Sequence, residues 1–137
     1  MGRRTIPHLS AAALAASLLV AGACSGDDEG DAAEFCQRLE RLTENDPFAA
    51  FGDTATEAEM EDAMTALRDR AEELVEVAPE EARGAATDYR DAVVAVDDLL
   101  ADAGYGPTSV DVDEYRDQSQ AYAEAAVRLE RYLTAEC

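Results

Sequence analysis

Thirty-one carboxylates, eleven guanidinium groups, one histidine and no lysine define the chemistry open to this 137-residue chain. The histidine, His8, precedes an apolar N-terminal stretch and lies outside the part that reads as folded. A Ser-His-Asp or Cys-His nucleophile, a histidine-ligated zinc or haem, a Glu-x-x-His di-iron site and a Schiff-base lysine therefore each lack an essential residue. The glycines are scattered and form no phosphate-cradling loop. What remains is carboxylate chemistry. The adjacent pairs Glu72-Glu73, Glu80-Glu81 and Asp97-Asp98 are raw material for acid–base work or a hard cation. Neighbours on a helix diverge by about 100°, however, so these pairs read as solvated helix faces. Asp111-Val112-Asp113-Glu114 is the best calcium candidate, but it lacks the glycine and later glutamate of a calcium loop, and helix capping accounts for it. The sequence thus predicts no catalytic residue, no metal site and no cofactor.

Aromatic residues are the other candidates for a site. Tyr89, Tyr105, Tyr115, Tyr122 and Tyr132 all fall in the second half, mostly on or beside helical stripes where a ring packs and a hydroxyl reaches the rim. Phe48 and Phe51 sit in one predicted loop and Tyr105 in another, Gly104-Tyr105-Gly106-Pro107. Loop aromatics of this kind either cap a bundle end or form a partner-docking patch. Phe48, Phe51 and Tyr105 are the candidate patch.

The N-terminus reads as an export signal. Arg3 and Arg4 precede an uncharged apolar run from Leu9 to Ala23, too short and alanine-rich for a membrane span of ~20 residues. The run ends in Leu19-Val20-Ala21-Gly22-Ala23-Cys24, which resembles the lipobox of bacterial lipoproteins. That resemblance implies cleavage before Cys24 and a diacylglycerol on its thiol. Ala21-Gly22-Ala23 also matches an ordinary A-x-A cleavage site, which would cut at the same place and leave a secreted, unacylated protein. The Arg3-Arg4 pair leaves Sec and twin-arginine export both open. The expected division is 1–23 signal peptide, 24–31 acidic flexible tether and 32–137 helical domain.

With the signal removed, nine basic residues face 31 acidic ones, a formal charge of −22. Such a surface is repelled by phosphate backbones and anionic headgroups, so nucleic acid is excluded as a partner. The acidic tether should hold the domain off an anionic bilayer. Charge alone names no ligand, since salt-adapted composition produces the same bias.

Apolar residues recur at spacings of three and four, giving four helices and no strand. The first opens at Asp31 with Glu34, carries Phe35, Leu39 and Leu42, and stops at Asn45-Asp46-Pro47. The second opens at Thr56 with Glu59 and carries Met60, Met64, Leu67, Ala71, Leu74 and Ala78. Pro79 fits the first position of the third, which runs through Tyr89, Val93 and Leu100 to a stop at Gly104. The fourth starts near Asp111 with Glu114 and carries Tyr115, Tyr122, Ala126, Leu129 and Leu133 on its inner face.

Short connections favour antiparallel neighbours, hence an all-α, up-down-up-down four-helix bundle. Three cysteines are odd; with Cys24 assigned to lipid, Cys36 and Cys137 remain to pair. In this topology both fall at the same end of the bundle, on adjacent helices. The two distal loops, 46–55 and 104–111, should then lie together at the far end, about 35 Å from the anchor for a helix of ~23 residues.

A lipobox, an acidic tether, Phe35-Cys36 opening the first helix and a cysteine closing the last together resemble small helical lipoproteins of actinobacteria, a group of uncharacterised function that brings no catalytic residues to carry over. The expected location is the cell membrane, lipid-anchored through Cys24 and facing the extracytoplasmic side. The expected role is a non-catalytic protein-interaction module with an envelope protein as partner. The alternative is an envelope protein that binds a small ligand or a divalent cation.

Overall fold

The computed structural model describes residues 31–49, 55–106 and 109–137. The export segment, Cys24, nearly all of the tether and Phe51 lie outside the described residues.

Among the described residues four helices follow one another: α1 (Ala32–Glu44), α2 (Glu57–Val77), α3 (Glu80–Asp102) and α4 (Val112–Glu136). Each begins where a side chain or a proline carbonyl satisfies the first backbone N–H groups. At α1 the Asp31 carboxylate accepts from the N–H groups of Ala33 at 3.0 Å and Glu34 at 3.2 Å. The expected reciprocal box does not close, because Glu34 accepts from the Arg38 guanidinium at 2.7 Å. At α2 the box is complete: Thr56 Oγ1 accepts from Glu59 N at 3.2 Å and Glu59 Oε2 from Thr56 N at 2.8 Å. Those bonds from Thr56 hold the Glu59 carboxyl below the usual carboxylate range. Pro79 caps α3 from one position earlier than expected. Its ψ of 162° is extended, and its carbonyl accepts from the N–H groups of Ala82 and Arg83. Asp111 caps α4 through Asp113 N and Glu114 N, both at 3.0 Å.

The end of α3 is a Schellman turn. Gly104 N donates to Ala101 O at 2.9 Å and Tyr105 N to Leu100 O at 2.7 Å, with Gly104 at φ 64°. Tyr105 also has a positive φ, 56°, which is unusual for a residue with a Cβ.

Consecutive helices pack together, α3 most extensively against α4 and next against α2, and α1 closes the ring against α4. The result is an up-down-up-down four-helix bundle. Phe35, Leu39, Leu74, Val93 and Leu129 are the largest fully buried side chains. Alanines fill the close approaches: Ala63, Ala71, Ala82, Ala86 and Ala125 are buried with them. At the base Cys36 is bonded to Cys137, with Cα atoms 5.6 Å apart across a sequence separation of 101. No helix among the described residues is long and apolar enough to cross a membrane.

One helix is out of proportion. The 13 residues of α1 rise about 20 Å, whereas the 21 to 25 residues of the others rise about 32–38 Å. The Arg70 guanidinium, well into α2, donates to the carbonyl of Asn45, the residue that caps the end of α1. The chain therefore leaves α1 partway up α2, short of the far end. By contrast the 104–106 turn does reach the start of α2, since Gly106 lies beside the Glu57 carboxylate. The two loops expected to sit together thus begin at different heights.

Candidate functional site

Where α1 stops, no helix among the described residues continues over the inner faces of α2, α3 and α4. An apolar cleft of about 580 Å³ opens there. Leu42 and Phe48 form its wall on the α1 side, Met60 and Met64 come from α2, and Val93 and Val96 from α3. The α4 contribution is the inner stripe 115, 119, 122, 126, which the three-and-four spacing brings to one face. This stripe is less covered than its sequence suggests. Tyr115 remains 43% exposed.

Tyr89 and Tyr122 meet across the cleft's inner wall. Their hydroxyl oxygens are 3.4 Å apart and their ring centroids 5.5 Å, tilted by 41°. Burial, followed by the neighbouring Tyr122, raises the Tyr89 phenol well above the usual tyrosine range, so it stays protonated at physiological pH. The pair offers an apolar cavity a donor and an acceptor. Such a volume, with mainly apolar lining and few polar groups, is the usual form of a small-molecule site.

Among the described residues, the charged ones lining this cleft are Asp46 and Glu130, both acidic. The guanidinium groups nearest α1 belong to a separate, smaller pocket formed by Arg38, Arg41 and Arg70. Their bonds explain them structurally. Arg41 donates to Gln37 O at 3.2 Å and Arg70 to Asn45 O, carbonyls in and just beyond the last turns of α1 where positive charge is favoured. Arg38 is paired with Glu34 at 2.7 Å and Glu73 at 2.6 Å.

Of the three aromatic residues expected to form a patch, the structure describes Phe48 and Tyr105, which have different partners. Phe48 is half-buried and packs against the core as cleft wall. Tyr105 is half-buried elsewhere: its hydroxyl donates to Asp97 Oδ1 at 2.8 Å. Phe51 lies outside the described residues. The segregation follows α2, because Arg70 meets the loop after α1 while Arg68, about 200° away around the helix, meets Asp97.

Asp97 also corrects the expectation that the Asp97-Asp98 pair is a solvated face. Asp97 is only 6% exposed. Its second oxygen accepts from Arg68 at 3.0 Å, and Asp98, which is exposed, adds a looser contact to the same guanidinium at 3.7 Å. The sequence carries a signal for this, since Asp97 stands four residues after Val93 and eight after Tyr89, on the apolar stripe. Burial, then the bond to Asp97, pushes the Tyr105 phenol up to about 12. This three-residue latch holds Tyr105 in its left-handed conformation and fastens the distal turn to α2 and α3.

Loss of one donor to a buried carboxylate costs about 1–3 kcal/mol. Tyr105→Phe is therefore expected to lower stability toward the lower part of that range and to free the distal turn, seen as faster amide exchange at 104–106 with the cleft unchanged. Equal exchange in the variant and the parent would contradict the latch.

Among the described residues no group of three or more His, Cys, Asp or Glu side chains is arranged to hold a metal ion. No protein-family model, no curated protein and no solved structure matches this chain.

Proposed function

We propose that this protein is an envelope lipoprotein, acylated at Cys24 and held by its acidic tether on the extracytoplasmic face, whose bundle is a non-catalytic binding module. The observation that carries the binding role is the cleft left open by the short α1. It favours a small, largely apolar guest over a docked protein surface, because Phe48 belongs to the cleft wall while Tyr105 is held by Asp97. The lack of histidine and lysine in the folded region supports a role without catalysis, and the resemblance to small actinobacterial lipoproteins supports the location.

A guest that binds only the folded state raises the melting temperature in proportion to its occupancy. Melting in the presence of 1-octanol and larger neutral alcohols should rise by several degrees with increasing ligand. Val96→Phe or Ala126→Leu, each placing bulk in the cleft, should remove that rise; two variants are used because added volume costs about 1–3 kcal/mol where the site does not accommodate it. A rise of equal size in both folded variants and the parent would locate binding elsewhere.

A second reading, docking of an envelope protein, is supported by the large apolar side chains exposed on α4, Val112 at 67% and Val127 at 42%. Val112→Ser, at a position outside the cleft lining, would weaken capture of such a partner and leave alcohol binding intact.

A further inference from the structure

Resting on the reading of the cleft as a ligand site, we propose that its guest is an organic cation, an ammonium-type head on an apolar body, and that aromatic faces and the carboxylates of Asp46 and Glu130 recognise the head. Among the described lining residues are four rings, Phe48, Tyr89, Tyr115 and Tyr122; Tyr115 stands about 22 Å along α4 from Glu130, so the head is assigned to the other three. An aromatic face attracts a cation held within about 6 Å of its centre, and several rings around one site select quaternary or alkylated ammonium groups over their neutral isosteres. The two charged residues of the lining carry negative charge, while Arg38, Arg41 and Arg70 open into a different pocket and are engaged there with carboxylates and backbone carbonyls. An anionic headgroup would meet two carboxylates and, among the described lining residues, no guanidinium. A cation meets carboxylates and π faces together. The chain as a whole, at −20, raises the local concentration of cations further, and that part of the attraction fades with salt.

Size and polarity suit the same class. About 580 Å³ accommodates a hydrocarbon body larger than a single ring or short chain. The methionines Met60 and Met64 and the valines Val93 and Val96 give that body an apolar bed, with Met adaptable in shape.

The test compares three probes with one body: octyltrimethylammonium, 1-octanol and octanoate, titrated into the purified folded protein at low salt with calorimetry and tyrosine fluorescence. The cation should bind roughly tenfold more tightly than the alcohol, and octanoate more weakly than either. Asp46→Asn with Glu130→Gln should reduce the cation to the affinity of the alcohol while leaving the alcohol unchanged. Asp62→Asn with Asp69→Asn removes two carboxylates that do not line the cleft and should leave the ratio intact. If alcohol and cation bind equally, the cation assignment is overturned while the cleft stands as a binding site. A preference for the cation that survives loss of Asp46 and Glu130 but falls with Asp62 and Asp69 is general surface attraction and also overturns it. If no octyl compound binds, both this assignment and the reading beneath it fail.

Discussion

Reduction of the Cys36–Cys137 bond lowers the melting temperature by roughly 10–20 °C, the effect expected for losing about 2–4 kcal/mol from a domain of about 100 residues. The span of the bond sets the size of this effect. With a sequence separation of 101, the bond closes nearly the whole folded region into one loop. In the chain-entropy model such a loop removes about 4.7 kcal/mol of freedom from the unfolded state, an upper figure that native strain and residual unfolded structure reduce. The bond is accessible to reductant, since Cys137 is exposed and Cys36 partly so. Its location adds to the effect. It ties α1, the shortest helix, to the last turn of α4, and α1 otherwise relies on a small buried set, Phe35 and Leu39, with Leu42 at its edge. Melting of the oxidised protein with and without reductant measures this directly, with the Cys36→Ser, Cys137→Ser double variant as control. Coincident curves would mean that the bond contributes nothing to the fold.

Phe35→Ala is expected to cost about 3–5 kcal/mol, the range for removing a buried aromatic side chain. Phe35 is fully buried and meets the Tyr132 ring edge-on, with centroids 5.3 Å apart at 87°. Its loss leaves a cavity between α1 and α4 beside the disulfide. Because Cys36 is the next residue, the bond still holds the start of α1 in place, so the damage should be local as well as global. Hydrogen exchange should show α1 amides losing protection before those of α2, α3 and the second half of α4. In the reduced protein the same substitution should cost more than the sum of the two single effects at α1, since neighbouring contributions couple. Uniform loss of protection across all four helices would refute this division of labour.

Most of the fold was legible because helix periodicity and capping are local properties of sequence. The Thr56–Glu59 box, the stripe from Met64 to Leu74, the stop at Gly104 and the inner residues Ala126 and Leu129 stand where spacing puts them. The pairing of Cys36 with Cys137 followed from topology and chain ends rather than from any local signal. Boundary chemistry was less secure. Glu34 is claimed by Arg38 rather than by its cap, a competition that spacing does not reveal. Pro79 fits a helix start at either of two positions, and its extended ψ decides between them.

The site itself was mostly hidden. The stop at Pro47 is visible in the sequence, but the space it leaves above α1 depends on the lengths of three other helices together. Phe48 was conspicuous as a loop aromatic, yet its place in the cleft wall comes from the height at which α1 ends. Asp97 failed as a reading for a different reason. A charge beside a second charge looks solvated, and only its stripe position and two distant partners, Arg68 and Tyr105, reveal that it is buried and bonded.

The most direct test of a moored, clamped binding module is intact-mass analysis of the protein isolated from its native host, first under native and then under denaturing conditions. The account predicts a polypeptide that begins at Cys24, carries acyl chains, is lighter by two hydrogens than its reduced form, and releases a noncovalent guest on denaturation. A leading residue other than Cys24, or an unacylated Cys24 together with two alkylatable thiols and no guest, would contradict it.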